Sequence, residues 1–250
     1  MSGGRPAIAL LGSGEFEPWT EEVDRWLLER ATGDGSVLIL PTASAPEGDA
    51  VFDRWGTMGL EHYRDLGILA EVVPIKTNAD ANDDRLVAWL SRASVAFFSG
   101  GNPAYLASVL LGSAFWATLL EEMNRGLAYA GCSAGIACLG ESALDSAARS
   151  FGDGWLHRPG LRLFPNTTLG PHWDAIDRYV PGLRERLVSA IPPGGKLFAV
   201  DERTAAVGDG ATWTVIGSGS AHLYAAGEWR DAAAGETLTA TLLETAPVGD

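Results

Sequence analysis

Short, wholly apolar runs alternate with amphipathic stretches along the first half of the chain. Residues 7–11 form the first run, which stops at Gly12-Ser13-Gly14. Residues 21–31 then place Val23, Trp26, Leu27 and Leu28 on one side of a helix. The next run, 37–40, is ended by Pro41, and 51–66 is again amphipathic. Val72-Val73 predicts a third strand and 95–98 a fourth, with a helical segment over 83–91 between them. Two helical pieces fill 103–125, and 127–129 leads into Gly131. Apolar strands without polar alternation, separated by helices, predict a parallel sheet covered on both faces.

The second half reads differently. Residues 161–164 and 167–169 predict short strands, and 173–190 a helix interrupted at Pro181-Gly182. Strands are predicted at 197–200, 204–207, 212–216 and 221–224, with turns at 208–210 and 217–219. This end is expected to be more antiparallel. No Pro/Ser/Gly-rich linker divides the chain, so one domain over 1–250 is expected.

Charge and cysteine usage narrow the function. With 32 acidic against 18 basic residues, the net charge of −14 opposes non-specific binding to nucleic acid or to anionic membranes. Two cysteines, Cys132 and Cys138, support neither a disulfide framework nor a four-cysteine zinc site. The four histidines show no HExxH pattern, and no apolar run approaches the ~20 residues of a membrane helix. The first apolar run is too short for a signal-peptide core, so a soluble cytoplasmic protein is expected.

Candidate chemistry concentrates in Gly131-Cys132-Ser133-Ala134-Gly135, a G-x-S-x-G between a predicted strand and a predicted helix. That context suits a nucleophile elbow, which thrusts Ser133 out at the strand's carboxyl end and needs small flanking residues. The alternative is a glycine-rich turn without chemistry. Cys132 is a rival nucleophile one residue off the apex.

Several segments, in shared order, resemble peptidase family S51, the group of dipeptidase E and cyanophycinase. They are Gly12-Ser13-Gly14-Glu15, Leu40-Pro41-Thr42-Ala43-Ser44, Phe97-Phe98-Ser99-Gly100-Gly101-Asn102, the elbow, Gly160-Leu161 with Gly170-Pro171-His172, and Val200-Asp201-Glu202-Arg203-Thr204-Ala205. The resemblance runs from about Ala7 to Tyr224. It implies an α/β fold similar to class I glutamine amidotransferases and a serine peptidase needing no cofactor or metal. It also implies that His172 is the base. Among the other histidines, His62 lies on a charged helical face, His222 in a late strand, and His157 in a loop of open role.

The resemblance further implies an acidic residue after the elbow helix. Glu141, Asp145 and Asp153 lie there, with Asp201 and Glu202 in a later turn; Asp145 is the choice, being far enough past the helix to fold back. Backbone N–H groups of Ala134 and of Gly101 or Asn102 are the expected oxyanion donors. Glu15, Asn102 and Arg178 are expected at the substrate, and Arg149, Arg184 and Arg186 are further cations near His172 in sequence. Gly170-Pro171 replaces the Asp-Gln that precedes the histidine of cyanophycinase, which counts against cyanophycin as substrate. The leading expectation is a serine hydrolase cleaving a peptide or isopeptide bond in a small, dipeptide-like substrate, with an aspartyl preference left open. The alternative is a catalytically silent small-molecule binding protein on the same fold. Homo-oligomer formation stays open.

Overall fold

The computed structural model describes residues 6–146 and 158–243. Its strands are β1 (Ile8–Leu11), β2 (Val37–Leu40), β3 (Ala70–Val72), β4 (Val95–Phe98), β5 (Ala128–Cys132), β6 (Ser142–Ala143), β7 (Arg158–Pro159), β8 (Thr167–Gly170), β9 (Lys196–Val200), β10 (Thr204–Gly208), β11 (Thr212–Gly217), β12 (Ser220–Ala225), β13 (Glu228–Ala233) and β14 (Thr237–Thr239). Its α-helices are α1 (Glu21–Leu28), α2 (Asp49–Asp65), α3 (Asp84–Val87), α4 (Pro103–Leu110), α5 (Ala114–Arg125), α6 (Ala134–Ala137), α7 (Ile176–Tyr179) and α8 (Leu183–Ser189).

The expected parallel sheet is present. Strands lie in the order β14-β11-β10-β1-β5-β4-β2-β3, with β1, β5, β4, β2 and β3 parallel and β10, β11 and β14 antiparallel. Side chains of each buried run alternate between two cores. Ile8, Leu10, Leu38, Leu40, Ala96 and Phe98 join α4 and α5 through Leu106, Phe115 and Leu119. Ala9, Leu11, Val37, Ile39, Val95 and Phe97 join α1 and α2 through Val23, Leu27 and Tyr63. Coverage of both faces is why these strands lack polar positions. Leu11 pairs with Cys132, Phe98 with Gly131 and Leu40 with Phe98. The carboxyl ends of four parallel strands therefore lie level, where an open α/β sheet binds its ligands.

A second sheet, β13-β12-β9-β8, is antiparallel apart from the β8–β9 pair. Its strand β9 sends Phe198 and Val200 into the main core and Leu197 and Ala199 onto α7 and α8. The chain crosses from this sheet to the first through residues 201–203, with Arg203 in left-handed backbone at φ 51. The predicted 173–190 helix is two short helices, split where Pro181-Gly182 interrupts it. Residues 161–164 are not the predicted strand. Their N–H groups instead cap the end of the elbow helix, Leu161 donating to Cys138 O at 2.7 Å and Phe164 to Leu139 O at 3.1 Å. Strands β13 and β14 were not anticipated, because Glu228, Trp229, Arg230 and Asp231 face solvent and carry no apolar pattern. No single helix among the described residues is long and apolar enough to cross a membrane.

The crossing between the sheets is held by His222 of β12, whose Nε2 lies 3.0 Å from Asp201 Oδ1 and whose Nδ1 lies 2.8 Å from Asp231 Oδ1. Burial alone would lower the His222 pKa, but hydrogen bonds to Asp201 and then Asp231 outweigh it and leave the pKa raised. Protonated His222 therefore stabilises the native state most below the unfolded histidine pKa of about 6.5, and this contribution fades as pH rises through the raised native value. Denaturant unfolding should show His222→Gln less stable than wild type at pH 6, with the difference shrinking toward pH 9. A difference that grows with pH would contradict this assignment.

Candidate active site

Strand β5 ends at Cys132, and Ser133 turns directly into α6 with φ 51 and ψ −104. Such backbone costs a non-glycine residue about 1–3 kcal/mol and persists only where its surroundings enforce it. Here the enforcement comes from close packing. A Cβ on Gly131 would lie 2.3 Å from Gly135 O, and one on Gly135 would lie 2.4 Å from Phe98 O. Tyr129 Oη donates to Gly135 O at 2.6 Å, and Ser133 N donates to Leu11 O at 3.0 Å. Both glycines of the motif are thus required sterically, and the serine hydroxyl is carried out beyond the strand ends.

His172 follows β8 and Pro171, also in left-handed backbone at φ 54. Its Nε2 lies 2.8 Å from Ser133 Oγ. Its Nδ1 lies 3.0 Å from Glu202 Oε1. A carboxylate partner assigns the ring proton to Nδ1, leaving Nε2 to accept from the serine. Tyr179 Oη donates to the same Glu202 oxygen at 2.7 Å, and Glu202 N donates to Asp174 Oδ1 at 2.8 Å. The hydrogen bond from Tyr179, followed by that from His172, outweighs desolvation and keeps the Glu202 pKa below its ordinary value. Glu202 is therefore ionised at neutral pH.

The carboxylate that meets the histidine is thus Glu202 and not Asp145. Asp145 accepts a hydrogen bond from Asn102 Nδ2 at 2.9 Å, which turns it toward the start of α4. Glu141 bonds Asn166 N and pairs with Arg162, and Asp201 is engaged by His222. Asp153, Arg149 and His157 lie outside the described residues. A signal for Glu202 did exist in the sequence: an acidic pair in a tight turn between two predicted strands. Tyr179 and Asp174 carried none.

The loop after β4 passes beside the serine, a Cβ on Gly100 lying 3.5 Å from Ser133 Cβ. Gly101 takes φ 142, and a Cβ there would fall 2.4 Å from Ala43 O, so only glycine fits. Asn102 N donates to Ala43 O at 2.8 Å, which removes it as an oxyanion donor. The N–H groups of Gly101 and Ala134 donate to no other group among the described residues. The Asn102 side chain caps α4 by accepting from Tyr105 N, so both of its polar ends are structural.

Glu15 is buried beneath the site rather than open to a substrate. Its Oε1 accepts from Gly100 N at 2.8 Å and its Oε2 from Cys132 Sγ at 2.8 Å. Burial, then the Glu15 carboxylate, pushes the Cys132 thiol pKa far up, which disqualifies it as a nucleophile at neutral pH. His62 is not the solvated surface residue expected. It is half-buried, with Nε2 2.7 Å from the buried carboxylate of Asp24, which also accepts from Tyr63 Oη.

A cavity of about 330 Å³ opens at Ser133 and His172. Arg178, expected at the substrate, does not line it; its exposed guanidinium lies 3.8 Å from Asp174. Arg184 is also outside the cavity, donating to Trp173 O and lying over the Trp173 ring. Among the described residues no group of three or more His, Cys, Asp or Glu side chains could hold a metal ion.

Because Glu202 touches the imidazole and Asp145 does not, Glu202→Gln is expected to lower kcat by about 10⁴-fold, as loss of a triad carboxylate does. Asp145→Asn should lower it by less than about tenfold. Steady-state kinetics on the two variants decide between them, and the reverse order would restore Asp145.

Comparison with known proteins bears on the family and the fold. The chain is 29% identical over 232 residues to cyanophycinases of Synechococcus elongatus and Thermosynechococcus vestitus, covering 88% of this chain and 68% of each relative. The crystal structure of a peptidase from an acI-B1 Actinobacterium superposes with a TM-score of 0.85 at 26% identity, covering 96% of this chain and 98% of that one. A candidate peptidase E protein from Listeria monocytogenes EGD-e shares the fold, with a TM-score of 0.55 at 17% identity over 91% of this chain and 98% of its own. The sequence profile of peptidase family S51 matches residues 8–216, so the chain, with an α/β fold built around a serine at a strained strand–helix turn, belongs to peptidase family S51.

Proposed function

We propose that this peptidase-family protein is a serine hydrolase that cleaves an amide bond in a small peptide-like substrate through an acyl-enzyme. The observation that carries the reading is the continuous relay Ser133 Oγ–His172 Nε2 at 2.8 Å and His172 Nδ1–Glu202 Oε1 at 3.0 Å. Ser133 Oγ attacks the carbonyl carbon while His172 Nε2 takes its proton. Glu202, already ionised, holds the ring tautomer and stabilises the imidazolium. The carbonyl oxygen gains negative charge and is met by the N–H groups of Gly101 and Ala134. Its collapse breaks the C–N bond, and His172 returns the proton to the departing amine. Water, deprotonated by His172, then attacks the ester, and Ser133 leaves with the proton. None of these steps calls on a metal or organic cofactor.

The strained backbone of Ser133 and the neutral-pH charge of Glu202 both support this reading over a silent scaffold. Both cysteines are buried and unpaired, which fits a reducing compartment, and we place the protein in the cytoplasm. A fluorophosphonate probe should label the wild type once per chain, and Ser133→Ala should abolish both labelling and turnover while unfolding at a similar denaturant concentration. Labelling that survives in Ser133→Ala, or wild type that never labels, would remove the serine from the chemistry.

Segments that follow β4, β5 and β8 wall the site at the carboxyl ends of the strands, which suits a short substrate over a folded protein. Free peptides of two or three residues should be cleaved, and casein should remain intact over the same incubation by gel and mass spectrometry. Efficient casein digestion would contradict the small-substrate reading.

A further inference from the structure

We infer that the cavity beside Ser133 is a specificity pocket for a bulky apolar side chain on the acyl side of the scissile bond. This deepens, and rests on, the serine-hydrolase reading above. It also departs from the acidic preference left open by the sequence.

The position of the pocket follows from the reacting atoms. The attacked carbonyl must lie between Ser133 Oγ and the N–H groups of Gly101 and Ala134. Gly101 and Ser133 form one rim of the cavity, so the substituent next to that carbonyl is the part of the substrate that enters it. Beyond the rim the walls come from Leu144, Leu169, Ile176, Val180, Leu183 and Leu187. Ile176, Leu183 and Leu187 are themselves buried, packed with Trp173, Leu197 and Ala199 into a cluster of their own. The walls are therefore held in place by the second sheet and are not a loose surface patch.

The charge of the pocket decides its ligand. Among the described residues, no Lys, Arg, Asp or Glu lines it. Its titratable side chains are His172 and Tyr179, and both are bonded to Glu202. Among the described residues, a substrate carboxylate entering here would lose water and meet no guanidinium in the lining, since Arg178 faces Asp174 from an exposed position and Arg184 is bonded to Trp173 O. A substrate guanidinium would equally meet no carboxylate among the described lining residues. Burying either charge unpaired is strongly unfavourable, whereas a leucine or phenylalanine side chain gains from leaving water. A hydrophobic wall separates side chains that differ by one methylene by about 10–200-fold, and rejects an unpaired charge at least as strongly.

The test is a series of amino-acid 4-nitroanilides carrying Leu, Phe, Met, Ala, Asp or Arg, run on the wild type alongside fluorophosphonate labelling. We expect kcat/KM for the Leu or Phe member to exceed those for Asp and Arg by at least about 100-fold. Labelling together with the highest kcat/KM on Asp or Arg, or with values within about threefold across the series, would overturn the apolar pocket and leave the hydrolase standing. Labelling without cleavage of any member would overturn the acyl-side assignment. Neither labelling nor cleavage would overturn both readings. Leu183→Phe, checked for folding by its thermal transition, should cut the Phe-to-Ala ratio of kcat/KM at least tenfold, and an unchanged ratio in the folded variant would overturn the placement of Leu183 in the wall.

Discussion

The arrangement around Ser133 depends on how closely β5 and α6 pass one another. With no Cβ on Gly131 or Gly135, the strand, the helix and the neighbouring β4 carbonyl at Phe98 come together without room for one more atom. The chain can make that turn only if the residue between them adopts positive φ, and that residue is Ser133. The hydroxyl is then projected beyond the strand ends, and the first N–H of the helix is left pointing at whatever binds there. The level carboxyl ends of β1, β4 and β5 supply the rest of the floor.

The other half of the site comes from a different layer. His172 leaves the end of β8, and Glu202 sits where the chain passes from β9 to β10. Their meeting requires the second sheet to abut the first, which Phe198 and Val200 achieve by entering the main core while Leu197 and Ala199 hold α7 and α8. Tyr179 then reaches back from α7 to the same carboxylate. The two cores and the relay are mechanically one object: a shift of the second sheet moves His172 away from Ser133.

The buried strands were readable because two helical layers force them to be apolar throughout. The strand–helix turn was readable because its steric demand admits few residue types at Gly131, Ser133 and Gly135. Glu202 was less legible, since its partner lies 30 residues away and only the docking of two sheets brings them together. Asp145 lies far enough past α6 to fold back toward an imidazole, but it accepts from Asn102 Nδ2 instead. The residues at 161–164 look like a strand because Leu161 and Phe164 are buried. Their backbone nevertheless satisfies the carbonyls at the end of α6, a demand that hydropathy does not register. Polar edge strands such as β13 are specified by pairing with β12 rather than by their own side chains.

The contact between Cys132 and Glu15 bears on how the protein ages. Peroxides and electrophiles attack thiolates, and a cysteine beside an open cleft is ordinarily a point of oxidative damage. Here the sulfur is wholly buried, and the carboxylate accepting its proton repels the anion that oxidation would need. That same carboxylate fixes Gly100 beside the serine. A single buried glutamate thus braces the loop that carries the Gly101 N–H and keeps the neighbouring sulfur chemically inert, so exposure to oxidants should leave this strand–helix junction intact.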